Sequence, residues 1–216
     1  MGFSGAYFPE ADCFSSRQNV FTEGVPCTQD LIIARFRLGG WTKRSRRMTY
    51  VDSTIPANQT QSGFKSGLIL ADRSAGKIIT IGLWETEADL RGRTLTNFVD
   101  HISGGPPVRE VYEVSVYDRL QLELGKATHA RVTTRQVQSG KMDDVIHTYL
   151  NSAVPLRRPQ GSVGAILLTD RDTGNAVNVT LWKSESQMDA TVPSGDVDNI
   201  SVGHHARETY EVSADI

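Results

Sequence analysis

From Gly161 to Trp182 the chain reads GSVGAILLTDRDTGNAVNVTLW: an apolar run, a polar Asp-Arg-x-x-Gly turn, and a second apolar run that closes on Trp. The same order occurs from Gly63 to Trp84 as GFKSGLILADRSAGKIITIGLW. Runs of this length, rich in Ile, Leu and Val and bounded by turn residues, predict strands. Gly76 and Gly174 stand at the turn position where a positive φ is needed, so each pair of runs is expected to form an antiparallel hairpin.

A single offset of 98 aligns far more than the hairpins. It sets Asp72 on Asp170, Arg73 on Arg171, Trp84 on Trp182 and Glu87 on Glu185, and it sets Arg109-Glu110-x-Tyr112-Glu113-Val114-Ser115 on Arg207-Glu208-x-Tyr210-Glu211-Val212-Ser213 without a gap. A constant period of this kind marks an internal repeat. Carried backwards, it pairs Leu31 to Leu38 with His129 to Gln136, which read as strands, and Lys43 to Ile55 with Lys141 to Ala153, which read as helices. In the second of these, Met142, Val145, Ile146, Tyr149, Leu150 and Ala153 recur at helical spacing. After each Trp, Thr86 to Asp89 and Ser184 to Gln187 supply N-cap patterns for a second helix.

Each copy therefore reads β-α-β-β-α-β, the split βαβ or ferredoxin-like arrangement. The predicted organisation is an irregular arm over 1–30, one repeat over 31–116, a connection over 117–128 and a second repeat over 129–216. The fold class is α+β. Period 2 along the hairpins puts Leu181, Val179 and Val177 on one face and Trp182, Thr180, Asn178 and Ala176 on the other. The aliphatic face is expected to join the two sheets in an α/β barrel closed within one chain, with helices outside. Association of two chains through the helices stays open.

The bulk composition narrows the partners. A formal charge of -2 and a pI near 6.2 provide no global field for a polyanion, so nucleic acid is not expected. No segment has the roughly 20 apolar residues of a membrane span and the opening residues lack a secretory pattern, so a cytoplasmic protein is expected. Cys13 and Cys27 both precede the repeats and have no companions at metal spacing.

The phrase GxxxxxLLxDRxxGxxxxxTLWxSE, followed by a helix start, resembles the antibiotic biosynthesis monooxygenase-like branch of the dimeric α/β-barrel superfamily, here as a tandem fusion. The resemblance covers about 31–116 and 129–214. It implies a small-molecule enzyme, with cofactor-independent oxygenation of a flat aromatic or polyketide-like substrate as the expected reaction and a small apolar or aromatic ligand as the partner. The alternative is a non-catalytic small-molecule-binding or stress-associated barrel. No tightly bound cofactor is expected, with reduced flavin or haem held in reserve. A haem-degrading relative would carry a His about ten residues after the Trp, where this chain has Thr94 and Val192.

The resemblance places Trp84 and Trp182 at a pocket wall, either as core filling or as a stacking surface for a flat ligand. Asn178 lies four residues before Trp182 on the same strand face, like the Asn and Trp pair of anthrone-type oxygenases, and its amide could stabilise charge on a substrate oxygen. The first copy has Thr80 there, so the second copy is the better candidate. The Tyr and Arg that complete the anthrone-type pattern are not found at Met188 and Val202. His129 and His147 are candidate general bases. Tyr149 and Tyr210 are candidate substrate contacts, and Glu208 beside Tyr210 suggests a buried hydrogen bond before an acid-base pair. Lys43-Arg44-x-Arg46-Arg47 and Arg157-Arg158 could hold a phosphate or form solvated faces. His204-His205 is expected in a polar loop before the last strand, His101 stands alone, and no metal site is expected.

Overall fold

The computed structural model describes residues 30–37, 59–92, 108–118, 127–191 and 201–215. The arm over 1–30 (but for Asp30), the predicted helix over 43–55 with its basic cluster, His101 and most of the connection over 117–128 lie outside the described residues.

Among the described residues, eight strands alternate with short helices. The first half contains β1 (Asp30–Arg37), β2 (Phe64–Asp72), β3 (Lys77–Trp84), α1 (Glu87–Gly92) and β4 (Val108–Asp118). The second contains β5 (His129–Val137), α2 (Met142–Thr148), α3 (Val154–Arg157), β6 (Ser162–Asp170), β7 (Asn175–Trp182), α4 (Glu185–Ala190) and β8 (Ser201–Asp215). All strand pairs are antiparallel, and the order β1-β3-β2-β8-β5-β7-β6-β4 closes into a barrel through pairing of β4 with β1. Both halves use the same internal order: β4-β1-β3-β2 in one and β8-β5-β7-β6 in the other. The two sheets are joined edge to edge by main-chain hydrogen bonds at the β2–β8 and β4–β6 seams, so the barrel has no open edge among these strands.

The offset of 98 reappears in local geometry. A register shift between Phe64 and Ser66 on β2 has its counterpart between Ser162 and Gly164 on β6. At the seams, Leu70 pairs with Val212 and Ile69 with Ala214, just as Leu168 pairs with Val114 and Leu167 with Val116. Each seam strand thus bulges at a serine, Ser115 or Ser213. On β4 the bulge has a packing consequence: Tyr112 and Val114 face one apolar cluster, and Val116, which period 2 would send the same way, joins another.

The first cluster fills the barrel. It gathers Leu68 and Leu70, Ile79 to Leu83 at alternate positions, Ala130 and Val132, Ile166 and Leu168, and Val177, Val179 and Leu181. The second lies on the opposite face of β6 and β7, where Ala165, Leu167 and Ala176 meet Met142, Val145, Tyr149, Ala153 and Val154. A buried Leu or Ile here contributes on the order of 1.5 to 3 kcal/mol.

The predicted helix of the second half is present but irregular. After α2 the chain widens into a π-helical turn over Tyr149–Ala153, resumes as α3, and tightens into a 3₁₀ turn over Arg158–Gln160. Pro155 in the first turn of α3 has no N–H to give an α-helical bond, which fits a change of pitch just before it. Gly161, at φ 101°, then turns the chain into β6. The short second helices start as expected: the Ser184 hydroxyl accepts from the Gln187 N–H at 3.3 Å, and Thr86 accepts from Asp89 N–H at 3.1 Å. The last strand starts earlier than its apolar pattern suggests. His204 and His205 lie within β8, not in a loop before it, because main-chain pairing of Val202 and Ser201 with β5 extends the ladder regardless of side-chain polarity.

Candidate functional site: an arginine-lined cleft in the second half

The outward faces of β8, β5, β7 and β6 carry one continuous cross-strand row. Arg207 pairs with Thr133, Thr133 with Asn178, and Asn178 with Leu167. Directly paired residues share a face, so a cation, a hydroxyl, an amide and an aliphatic side chain line up across four strands. Period 2 along β5 adds Arg131 and Arg135 on either side of Thr133, and β7 adds Ala176 and Thr180 on either side of Asn178. Val145, Tyr149 and Arg157 from the helical segment and Thr191 after α4 complete a cleft over this patch, with a cavity volume of about 20 Å³. That is room for roughly one or two waters or a small oxyanion.

Tyr149 is the helical segment's polar contribution. Its hydroxyl donates to Asn178 Oδ1 at 2.7 Å, and both side chains are buried. With its oxygen engaged, the Asn178 amide retains an NH₂ with two donors. Burial is the largest influence on the Tyr149 phenol and pushes its pKa well above the ordinary tyrosine range, so Tyr149 stays a neutral donor. The Arg157 guanidinium lies over the Tyr149 ring, 5.7 Å from its centroid.

The arginines are held from behind. Arg131 Nη2 donates to the Met188 carbonyl at 2.6 Å, in the last turn of α4, where a cation meets the negative end of the helix. Arg131 also lies 3.7 Å from the exposed carboxylate of Asp189. Arg135 Nη1 donates to Ser201 Oγ at 3.3 Å. Arg131 Nε and Arg157 Nη1 are buried and have no hydrogen-bond partner among the described residues. Burial, followed for Arg131 by the Arg207 charge, holds the pKa of both guanidiniums below the ordinary arginine range.

The remaining sequence candidates lie elsewhere. Trp182 is fully buried, with Nε1 donating to Thr180 Oγ1 at 3.2 Å, and is not among the residues lining the cleft. Trp84 is buried against Phe64, edge to face at a centroid distance of 5.3 Å. His129 sits at the start of β5, with Nδ1 2.8 Å from Thr128 Oγ1 and Nε2 3.9 Å from Glu185. His147 is exposed, and its carbonyl accepts from Asn151. Tyr210 points the other way, into the barrel, with its hydroxyl on Glu208 at 2.9 Å. Of the sequence candidates the cleft therefore brings together Asn178 and Tyr149, with Arg157 beside them.

Sequence reading passed over Arg131, Arg135 and Arg207 as site residues. The available signal was a basic residue at every second or fourth place on a strand face that a helix was expected to cover, which is an anomalous place for charge. Among the described residues no group of three or more His, Cys, Asp and Glu side chains is arranged to hold a metal, and no helix is long and apolar enough to cross a membrane.

No family model matches the chain. Two uncharacterized proteins from strains of Mycobacterium tuberculosis are each 28% identical over 144 residues, which is 64% of this chain and 64% of theirs. The matched region thus spans just under two thirds of these relatives' length. Among solved structures, a provisionally named monooxygenase from Fusobacterium nucleatum superposes with a TM-score of 0.70 at 12% identity, covering 87% of this chain and 94% of that one. An anthrone oxidase-like protein gives a TM-score of 0.57 at 13% identity over 87% and 92% of the two chains. A ferredoxin-fold protein from Listeria monocytogenes, related to antibiotic biosynthesis monooxygenases, gives 0.53 at 12% identity over 86% and 94%. These likenesses establish the fold: an antiparallel α+β barrel of the ferredoxin-like type shared with antibiotic biosynthesis monooxygenase-related proteins.

Proposed function

We propose that the cleft of the second half is the pocket of a small-molecule enzyme of the antibiotic biosynthesis monooxygenase-like type. In this reading it oxygenates a flat aromatic or polyketide-like substrate with no tightly bound cofactor. The observation that carries the reading is the buried Tyr149–Asn178 pair opening onto a cleft whose charged groups, among the described residues, are all guanidinium donors. Such a surface favours the form of a substrate whose oxygen has become an enolate or phenolate. In the reaction class implied, a ring methylene becomes a carbonyl. One atom of O₂ enters the product, the other leaves as water, and the substrate supplies all four electrons. Asn178 Nδ2 would donate to the charged oxygen, and the 20 Å³ cavity would take the substrate's polar end while its rings lie further out.

A second reading, non-catalytic binding of the same class of molecule, is favoured by one feature. Among the described residues, the titratable groups lining the cleft are arginines and a tyrosine held neutral, none of which accepts a proton near neutral pH. Oxygen uptake with hydroxyanthrone and naphthol substrates distinguishes the two. The enzyme reading expects uptake above the buffer rate, reduced about 100-fold in Asn178→Ala. Absence of uptake across the panel would sink it. Binding alone would then appear as thermal stabilisation that Asn178→Ala diminishes.

We further infer that the halves are tandem copies of one unit, with the arm over 1–30 and the connection over 117–128 outside them and the helices on the barrel's outer surface. Support comes from the matching strand orders and from bulges that recur at equivalent positions. The Asn178 position is Thr80 in the first half, so the second half is the one assigned a function.

A further inference from the structure

The charge of the cleft is out of keeping with the chain that carries it. The protein as a whole bears a formal charge of -2, yet Arg131, Arg135, Arg157 and Arg207 line one small cavity and, among the described residues, no carboxylate does. Four guanidiniums facing a shared space repel one another, and their partial removal from water adds to the cost. The neighbours offset this only in part. Asp189 stands 3.7 Å from Arg131 with its own side chain largely exposed, and the Asp118 carboxylate is engaged by Arg158, at 2.8 and 3.2 Å. Buried donors that find no acceptor among the described residues, Arg131 Nε and Arg157 Nη1, are each costly, and such groups mark places where a partner belongs.

We propose that the cleft is a receptor for an oxyanion, the carboxylate or phosphoryl group of a small-molecule ligand, with Arg131 and Arg157 as its principal donors and Arg135, Arg207 and the Asn178 amide around it. The proposal rests on the cleft being the ligand site, as in the preceding section, but not on any oxygenation. Guanidiniums are suited to the task because they remain charged and present paired N–H groups that match two oxygens of one anion. The cavity of about 20 Å³ is on the scale of a small polar group rather than a ring, and its arginines disfavour a cation by charge. Burial and mutual repulsion hold the pKa of Arg131 and Arg157 below the ordinary range, and the negative charge of a bound anion would offset the repulsion and compensate for the lost water. Ninety-eight residues earlier the chain keeps an arginine at two of the four positions, Arg37 for Arg135 and Arg109 for Arg207, but reads Ile33 for Arg131 and Gln59 for Arg157, so the two principal donors belong to one half only.

The test is calorimetric titration of the full chain with sodium phosphate, phenyl phosphate and benzoate at constant ionic strength, with sodium chloride as the control. Saturable binding of at least one of the three, absent for chloride, is expected, and Arg131→Gln and Arg157→Gln should each weaken it about tenfold or more. Preference for benzoate assigns a carboxylate ligand, and preference for the phosphates assigns a phosphoryl ligand. Arg73→Gln, at the β2–β8 seam, should bind like the wild type. If a buried-arginine variant does not fold, Arg207→Gln, whose side chain is exposed, carries the same comparison with a smaller loss. No binding above chloride, or binding unchanged in every cleft variant, overturns the proposal. Anion binding without oxygen uptake upholds it while removing the oxygenase reading, and the reverse result separates them the other way.

Discussion

Tyr149 Oη donates to Asn178 Oδ1 at 2.7 Å, joining the π-helical turn to the centre of β7 within a buried space. Because the acceptor is shielded from water, removing the donor strands it. Tyr149→Phe should lower unfolding free energy by about 1 to 3 kcal/mol, read from urea midpoints at unchanged slope. A loss below about 0.5 kcal/mol would mean that solvent replaces the bond.

The same phenol sets an alkaline limit. Burial raises its folded pKa above the ordinary tyrosine value, so its contribution is complete below about pH 10, where the unfolded chain's tyrosine begins to ionise, and fades as pH rises towards the folded value. Wild type should lose stability between about pH 10 and 12 more steeply than Tyr149→Phe. Parallel curves would show that Tyr149 is not the group responsible.

At the hairpin turns the sign reverses. Asp72 accepts from the Ser74 and Ala75 N–H groups at 2.9 Å, and Asp170 from Asp172 and Thr173 at 3.0 and 3.1 Å. The Ala75 main chain is the largest influence on Asp72 and the Thr173 hydroxyl on Asp170, and both carboxyl pKa values are lowered. The stabilisation is present above about pH 4 and is lost as pH falls through the folded values. Asp72→Asn and Asp170→Asn should therefore be less stable than wild type at pH 7, with the gap closing near pH 2. A gap that persists in acid would point to shape rather than charge.

The two turn arginines bridge the halves in equivalent ways: Arg171 lies 3.4 Å from Glu113, and Arg73 lies 2.5 Å from Glu211. All four side chains are one third or more exposed. Solvent screening limits each pair to about 0 to 1 kcal/mol. Glu113→Gln and Glu211→Gln should leave the melting temperature nearly unchanged at high salt. Leu168→Ala in the barrel interior, where Leu168 is 0% exposed, should cost about 2 to 5 kcal/mol. A larger effect at the seams than in the core would contradict a barrel held by its interior.

Gly174 and Gly140 separate strain from crowding. Both have φ near 75°, but a Cβ on Gly174 would lie 2.7 Å from Gln136 Nε2 and 3.1 Å from the Val137 carbonyl, whereas one on Gly140 meets nothing within 4 Å. Gly140→Ala should cost about 1 kcal/mol from the backbone alone, and Gly174→Ala measurably more. Equal losses in thermal melts would show that the Gln136 side chain simply swings away.

Much of this was legible in the residues. Alternation along GSVGAILLTDRDTGNAVNVTLW assigned Val177, Val179 and Leu181 to one face and Asn178 to the other, since side chains on a strand must alternate. The repeated Asp-Arg-x-x-Gly phrase announced both hairpins, and Ser184 and Thr86 announced the helix starts, because turns and caps depend on residues only a few places apart. Tertiary structure decided what distant segments share. It joined β2 to β8 and β4 to β6 through main-chain bonds that no side-chain pattern encodes, and it redirected Val116 by a bulge at Ser115. Above all it drew Arg131, Arg135, Arg157 and Arg207 around Tyr149 and Asn178. Those arginines are scattered over 77 positions of sequence, and only the register of β8 on β5, with the helical segment folded across them, turns four isolated charges into one electrostatic site.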